Sequence, residues 1–537
     1  MLDALYDQLR LAASVAFGLP FDLRSLERLV ESLLETRREF GVIGPEAGEL
    51  ITGPTLDEET RRDMQLRRFR TQAMRGAQET RYYRALFQRL GLDPKRLRYD
   101  DISRIPVTSK EALRANPDAF VRSSAHPVFL TTTTGTTGRP ASICFSAAEM
   151  RAFMALAAIG LLFQRVVGPE DIVQISTSSR ATLGNTCFAG GCARLGAMVY
   201  QAGLIEPEQS LALLAEKHDL PGKKSQTSVL SVYPSYLGKL VECGLRLGYR
   251  PADFGLERIV TGGEIVTAGL KVRCRELFGP VEFFEGYGMT EPWPFGGRLC
   301  EADHLHFEPA HGLLEILDPE TRAPTQPGEI GSLVLTPFPP YRQTTMLLRY
   351  DTQDMVRAIA SPLTCSLRHL PATGNLLGKL RLAVRHEQGW TYPRQVMEAL
   401  EAVPAVPLPA RFGFWAVPGG VAVEVVVRHI AGARQQIEQS LADWGAPLQA
   451  LHLRTDRGQL QQPFPLRADL RELSFDSLAT GDRDSIAARH LSPPAGINGT
   501  TRPTIRPRQN LKGLGLKQLP YLQANKLDIL TSFEEVI

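Results

Sequence analysis

Ser228-Val-Leu-Ser-Val232, then Pro234 to Leu247, then Arg258-Ile-Val260 is the stretch that decides the fold. A short apolar run predicts a buried strand, the spacing after Pro234 predicts a helix, and the second apolar run predicts another strand. The alternation continues outward on both sides. Upstream lie Asp171-Ile-Val-Gln-Ile-Ser176 as a strand, Cys187 to Leu195 as a helix, Ala197 to Gln201 as a strand and Glu208 to Glu216 as a helix. Downstream, Thr267 to Phe278 reads as a helix and Val281-Glu-Phe-Phe284 as a strand. Strands that alternate with helices build an α/β fold with a mostly parallel sheet covered on both faces. Ligands bind such sheets beyond the carboxyl ends of the strands. Two glycine-rich segments fall there, Thr261-Gly-Gly-Glu264 and Gly286-Tyr-Gly-Met-Thr-Glu291.

A third glycine-rich segment precedes the alternation. Leu130-Thr-Thr-Thr-Thr-Gly-Thr-Thr-Gly-Arg-Pro-Ala-Ser142 joins an expected strand at Pro127 to Leu130 and an expected helix from Ala147. Gly135 and Gly138 let the backbone turn, and Thr131 to Thr134, Thr136 and Thr137 set hydroxyls beside exposed backbone N–H groups, which suits a phosphate. Threonine and glycine also make ordinary turns. The Gly-Lys-Ser/Thr ending of the Walker loop is absent, so a kinase or motor ATPase is not the natural reading.

Around this core the chain divides into an N-terminal helical region (1–64), a large domain (65–375), a small α+β domain (376–475) and an extended or disordered tail (476–537). Leucines at spacings of three and four mark the N-terminal helices. Ile105-Pro-Val-Thr-Ser-Lys-Glu-Ala-Leu-Arg114 reads as a turn and a capped helix, a scaffold signal with Thr108 or Ser109 as N-cap. Short strands at Leu313 to Leu317, Gly331 to Leu335 and Met346 to Tyr350 predict a small barrel-like subdomain within the large domain. It ends on the charged cluster Arg349-Tyr-Asp-Thr-Gln-Asp354. Pro371 to Gly378 reads as the linker to the small domain.

The composition is that of an ordinary globular protein: 537 residues, 43% hydrophobic, 22% charged, net charge +3. That balance argues against nucleic acid as the main ligand. Seven cysteines without a Cys-x-x-Cys spacing predict reduced thiols and a cytoplasmic location, and the N-terminus lacks signal-peptide character. Ala152 to Phe163 is too short to span a bilayer, so no membrane partner is expected.

Taken in order, the threonine–glycine loop, Gly262-Gly-Glu264, Gly286 to Glu291 and Arg349 to Asp354 resemble the core motifs of the adenylate-forming superfamily: acyl-CoA synthetases, peptide-synthetase adenylation domains and luciferases. The closest likeness, carried also by Tyr82-Tyr83 and Ile105 to Lys110, is to phenylacetate–CoA ligase-like proteins, over roughly residues 65 to 400. The resemblance implies ATP and Mg²⁺. Thr133 to Gly138 would hold the β and γ phosphates, Thr290 would touch the α-phosphate and Glu291 would coordinate Mg²⁺. Tyr287, with Gly288, would stack on adenine beside Gly262, Gly263 and Glu264. Asp354 would accept the ribose hydroxyls, and Lys379 would lie with them. Read singly, Tyr287 is equally a core residue, Glu264 a turn residue and Asp354 an ion-pair partner of Arg349 or Arg357.

Some relatives carry a structural zinc held by a cysteine, a histidine six positions on and a later Cys-x-Cys pair. Cys300 and His306 match, Cys365 supplies half of the pair, and His304, His311 and His369 are candidates to complete it; free thiols without metal are the competing reading. The small domain departs further. Lys379 stands for the usual arginine, Arg381 for a hinge aspartate and Gln388 for a glycine facing the CoA channel. The stretch Gly458 to Arg471, where relatives carry a catalytic lysine, offers Arg467 instead. The expectation is ATP-dependent activation of a small, aromatic or planar carboxylic acid as its acyl-adenylate. Transfer then goes to a thiol, CoA or a carrier protein, or to an amine, in specialised biosynthesis. The alternatives are a catalytically impaired nucleotide-binding protein and a CoA-independent amide ligase.

Overall fold

The computed structural model describes residues 2–41, 57–132, 141–178, 182–456, 458 and 460. The expected site residues Thr133, Thr134, Gly135, Thr136, Thr137, Gly138 and Arg467, and the tail from 476, lie outside the described residues. The central sheet has eight strands, in the spatial order Met198–Tyr200, Ile172–Ser176, Val229–Val232, Arg258–Gly262, Glu282–Tyr287, Gly297–Leu299, His304–Phe307 and Ala372–Gly374. The first five are parallel and the last three are added antiparallel.

Both faces of the parallel part are covered, which is why its strands read as unbroken apolar runs. Val173, Ile175 and Val229 face a core shared with the helices Leu2–Phe17, Leu23–Phe40, Ala147–Phe163 and Thr182–Arg194. Leu230, Val232 and Ile259 face a second core beneath Pro207–Ala215, Pro234–Leu247 and Ala268–Phe278. Successive residues of one strand point to opposite faces. Val229 and Leu230 therefore sit in different layers.

Beside this sheet stands the expected antiparallel subdomain, with strands Gly312–Leu317, Ile330–Pro337, Tyr350–Arg357 and Gly378–Lys379. Its third strand begins where the sequence reading ends one. Met346, Leu347 and Leu348 are fully buried, but side chains take the polar backbone groups of Leu348, and Met346 N goes to Phe120 O. The Tyr83 hydroxyl accepts from Leu348 N at 2.7 Å, and Thr108 Oγ1 donates to Leu348 O at 2.7 Å. Arg349, at φ 47°, then turns the chain so that the charged cluster itself forms the strand. The segment 371–378, expected as a linker, contributes one strand to the central sheet and starts another in the four-stranded one.

The C-terminal part packs the helices Pro393–Glu401 and Ala433–Asp443 on a three-stranded sheet of Phe412–Val417, Gly420–Val426 and Leu448–Arg454. It docks on the helices Pro234–Leu247 and Ala268–Phe278 through buried polar groups. Glu398 accepts from Ala268 N at 2.8 Å, Arg273 donates to Val406 O at 2.8 Å, and Glu242 accepts from Leu408 N at 2.8 Å and from Arg428 at 2.5 Å. A Cβ on Gly269 would come within 2.2 Å of Glu401 O, so only glycine permits this approach. No helix among the described residues is long and apolar enough to cross a membrane.

Candidate active site

Three neighbouring parallel strands deliver the site at their carboxyl ends. Gly262 and Gly286 are cross-strand partners, and a Cβ on Gly262 would stand 3.2 Å from Gly286 O. Gly263 follows at φ 79°, turning the chain so that Glu264 reaches the start of the helix Pro234–Leu247. There Glu264 Oε2 accepts from Ser235 N at 2.9 Å, a favourable place for a carboxylate because the first N–H groups of a helix lack internal partners. The other oxygen, Oε1, is buried without a partner.

Glu291 is the most enclosed carboxylate of the group, at 1% exposure. The ammonium of Lys110 lies 2.9 Å from its Oε1, and the Tyr350 hydroxyl donates to the same oxygen at 2.9 Å. Burial works to raise this carboxyl. The charge and hydrogen bond of Lys110, with the charge of Lys379, outweigh it and hold Glu291 below the usual carboxylate range. Lys110 and Tyr350 were not expected at the site. Lys110 stands in the first turn of the helix Lys110–Ala115, which Ser109 caps by accepting from Ala112 N at 3.1 Å. The quoted segment Ile105 to Lys110 held the signal, but its cap and periodicity describe a scaffold and say nothing about where the ammonium points.

Asp354 forms a second charged centre. Its Oδ2 accepts from the Tyr287 hydroxyl at 2.9 Å and pairs with Lys379 Nζ at 2.7 Å, while Nζ also donates to Thr352 O at 2.9 Å. Register explains the pair, since Asp354 and Lys379 are cross-strand partners. Arg349 is committed elsewhere, to Glu315 at 2.8 Å. Tyr287 is buried and packs edge-to-face on Phe307, its phenol pushed up by burial and by Asp354. Thr290 is half-buried beside Glu291, and the Trp293 ring covers Gly288, 3.3 Å from where its Cβ would be. The arrangement gathers two buried carboxylates, each paired with one lysine. Arg381, in the turn after Lys379, feels the positive charge of Arg114 and the negative charge of Asp354.

Further along the antiparallel edge, ligand atoms of Cys300, His304, His306 and Cys365 all lie within 4.8 Å of one another. Cys365 Sγ stands 3.3 Å from His306 Nε2, and His306 Nδ1 is 3.3 Å from Leu370 O, a backbone carbonyl that orients the ring as outer partners of metal-bound histidines do. His304 Nδ1 is buried without a partner. Glu301 clamps the two halves together by accepting from Ser366 N and Oγ, each at 2.6 Å. Two thiols and two imidazoles in one cluster suit a tetrahedral zinc. Of the three candidate histidines, His304 lies in this cluster, whereas His311 packs on Tyr341 with ring centres 4.3 Å apart.

A covered parallel sheet whose carboxyl ends meet two carboxylate–lysine pairs, followed by a small C-terminal α+β part, is the arrangement of an adenylate-forming enzyme. The chain belongs to the AMP-binding enzyme family, whose model matches residues 64–336. It is 27% identical over 360 residues to phenylacetate-coenzyme A ligase of Thermus thermophilus, covering 66% of this chain and 78% of that relative. The crystal structure of 2-hydroxyisobutyryl-CoA ligase in the postadenylation state, in complex with R3-HIB-AMP, superposes with a TM-score of 0.63 at 18% identity, over 79% of this chain and 94% of that one. The same ligase in the thioesterification state, with 2-HIB-AMP and CoA, gives 0.53 at 18% identity, over 77% and 90%.

Proposed function

We propose that this chain activates a small carboxylic acid, aromatic or planar, as its acyl-adenylate with ATP, and passes it to a thiol or an amine. The observation that carries the reading is the placement of Glu291 and Asp354. Both are buried carboxylates at the carboxyl end of the strand Glu282–Tyr287, Glu291 in the loop after it and Asp354 bonded to Tyr287, and each is paired with a lysine. In the reaction a carboxylate oxygen of the acid bonds to the α-phosphorus, the bond to the bridging oxygen breaks, and pyrophosphate leaves with that electron pair. Mg²⁺ supplies charge neutralisation on the phosphates when bound, and Glu291 would hold it. Lys110, already beside that carboxylate, adds a second positive charge where negative charge builds up. Asp354 would exchange its Tyr287 and Lys379 bonds for the ribose hydroxyls, which frees Lys379 for the nucleotide. Tyr287, Gly262, Gly263, Glu264 and Gly288 would line the adenine, Thr290 would meet the α-phosphate, and Thr133 to Gly138 would close on the β and γ phosphates. Arg467 would supply the charge that relatives draw from a lysine.

The likeness to phenylacetate-coenzyme A ligase supports an aryl acid and CoA as acceptor. A second reading, an amine acceptor without CoA, is favoured by Gln388. Its amide donates to Gly419 O at 2.7 Å and fills a position that is glycine in the resembled family. Whichever acceptor is used, Cys300, His304, His306 and Cys365 would hold a structural zinc, which would fasten the 361–370 segment to the sheet. Acid-dependent exchange of labelled pyrophosphate into ATP across a panel of aryl acids tests the activation step. CoA set against a panel of amines then identifies the acceptor. ATP binding without exchange for any acid would reject the enzymatic reading.

A further inference from the structure

Arg342 is the bulkiest fully enclosed side chain among the described residues. Its guanidinium makes hydrogen bonds to carbonyls: Nε donates to Thr345 O at 2.7 Å and Nη1 to Trp293 O at 3.0 Å. The cation lies 4.4 Å from the centre of the Phe145 ring, and Nη2 is buried without a partner. Stability alone does not account for an arginine here. A buried cation with an unsatisfied N–H costs free energy that an apolar side chain of similar volume would not.

Its three contacts join separate pieces of the chain. Phe145 belongs to the strand Ser142–Ser146, which follows the threonine–glycine loop. Thr345 is stitched to that strand, since its Oγ1 accepts from Cys144 N at 3.0 Å and donates to Cys144 O at 3.1 Å. Glu149, at the start of the next helix, accepts from Gln343 N at 2.7 Å and Thr344 N at 3.0 Å. These bonds make the segment around Arg342 a rigid corner. From it Arg342 reaches Trp293, two residues beyond Glu291, and the Trp293 ring covers Gly288.

We propose that Arg342 is a positioning residue for adenylation: it fixes the backbone after Glu291 against the strand Ser142–Ser146, so that the carboxylate is held in one place for the metal and nucleotide it would meet. The proposal rests on the adenylate-forming reading above. It assigns Arg342 no contact with substrate. Its effect is on where Glu291 stands, and misplacement of a catalytic group by about 1 Å costs about 100-fold in rate.

Arg342→Met and Arg342→Lys, with the wild-type full chain, test it in two assays. Calorimetry of ATP binding with and without Mg²⁺ needs no acid substrate. Arg342→Met is expected to lose about tenfold of the Mg²⁺-dependent gain in affinity, the size of effect seen when a ligand's outer partner is removed, while metal-free ATP binding stays as in wild type. Pyrophosphate exchange is expected to fall about 100-fold in kcat with KM for ATP little changed. Arg342→Lys, which keeps the charge and one carbonyl contact, is expected to lie between. Melting temperatures equal to or above wild type would show that the losses are not unfolding. An unchanged Mg²⁺-dependent gain in Arg342→Met overturns the proposal, as does a loss that only follows a lowered melting temperature. If the wild type binds Mg²⁺ and ATP but exchanges with no acid, the proposed activity fails, and the calorimetric arm still decides Arg342.

Discussion

Lys110 Nζ stands 2.9 Å from Glu291 Oε1, joining the first turn of a short helix in the N-terminal part to the loop that ends the fifth parallel strand. Under the proposed function, the pair places a cation where a metal ion and phosphates would bind. It also keeps a nearly inaccessible carboxylate charged before any ligand arrives.

Lys110→Met leaves Glu291 with the Tyr350 hydroxyl and no counter-ion in contact. In the wild type the carboxyl lies below its ordinary value of 4.5, so its contribution is complete above that value and is lost as pH falls through the lower folded value. In the variant burial dominates and raises the carboxyl, so ionising it costs stability that grows as pH rises above 4.5. The gap in unfolding free energy between the two proteins should widen between about pH 4 and pH 7, reaching about 3 kcal/mol, the lower end for a broken buried pair. A gap that is constant or narrows over that range would contradict the assignment.

Asp354→Ala removes the acceptor proposed for both ribose hydroxyls and leaves Lys379 without its carboxylate. Hydrogen bonds to a charged group contribute about 1.5–3 kcal/mol each, so ATP affinity should fall by about 100-fold or more. Tyr287→Phe deletes a donor that the ribose would displace, so ATP affinity should stay the same or rise a few-fold. Equilibrium binding of ATP to the two variants checks the order. Equal losses would place the ribose elsewhere.

The Cys300, His304, His306 and Cys365 cluster predicts about one zinc per chain by elemental analysis. Replacement by Co²⁺ should give the intense visible bands of a tetrahedral site, with thiolate charge-transfer absorption. His304→Ala should lose both metal and bands, whereas His311→Ala and His369→Ala should keep them. Chelation should lower the melting temperature of the wild type and leave that of Cys365→Ser unchanged.

Glu242 anchors the C-terminal part by two bonds of different exposure. Arg428→Ala should cost about 1 kcal/mol or less, because that side chain is 40% exposed and its pair is screened. Glu242→Ala should cost about 2–3 kcal/mol, since it also strips Leu408 N and leaves the buried Arg273 without its nearby carboxylate. Thermal melts measure both, and comparable losses would show that the exposed arm matters as much as the buried one.

The parallel sheet was legible because its strands are apolar on both faces and its helices repeat every three to four residues. Boundaries at Ala147, Ile172, Pro234 and Ala268 follow the periodicity closely. The strand expected to end at Tyr350 instead begins there. The hydroxyls of Tyr83 and Thr108, hundreds of residues away, claim the backbone of Leu348, and no local pattern reports that. Lys379 was placed at the site through its family position, and the register of Asp354 opposite it explains why. His304 was one of three candidates, and it was distinguished only when the strand His304–Phe307 brought it toward Cys365.

By itself the sequence determined the layered α/β architecture, the order of the nucleotide motifs and the departures in the C-terminal part, because periodicity, glycine placement and motif spacing are local properties of a chain. Only the tertiary structure decided that Lys110 faces Glu291, that Arg349 serves Glu315 while Asp354 takes Lys379, and that Arg342 joins two loops. Those pairings depend on side-chain direction and on distances across the fold, and a charge in a sequence does not say which opposite charge it will meet.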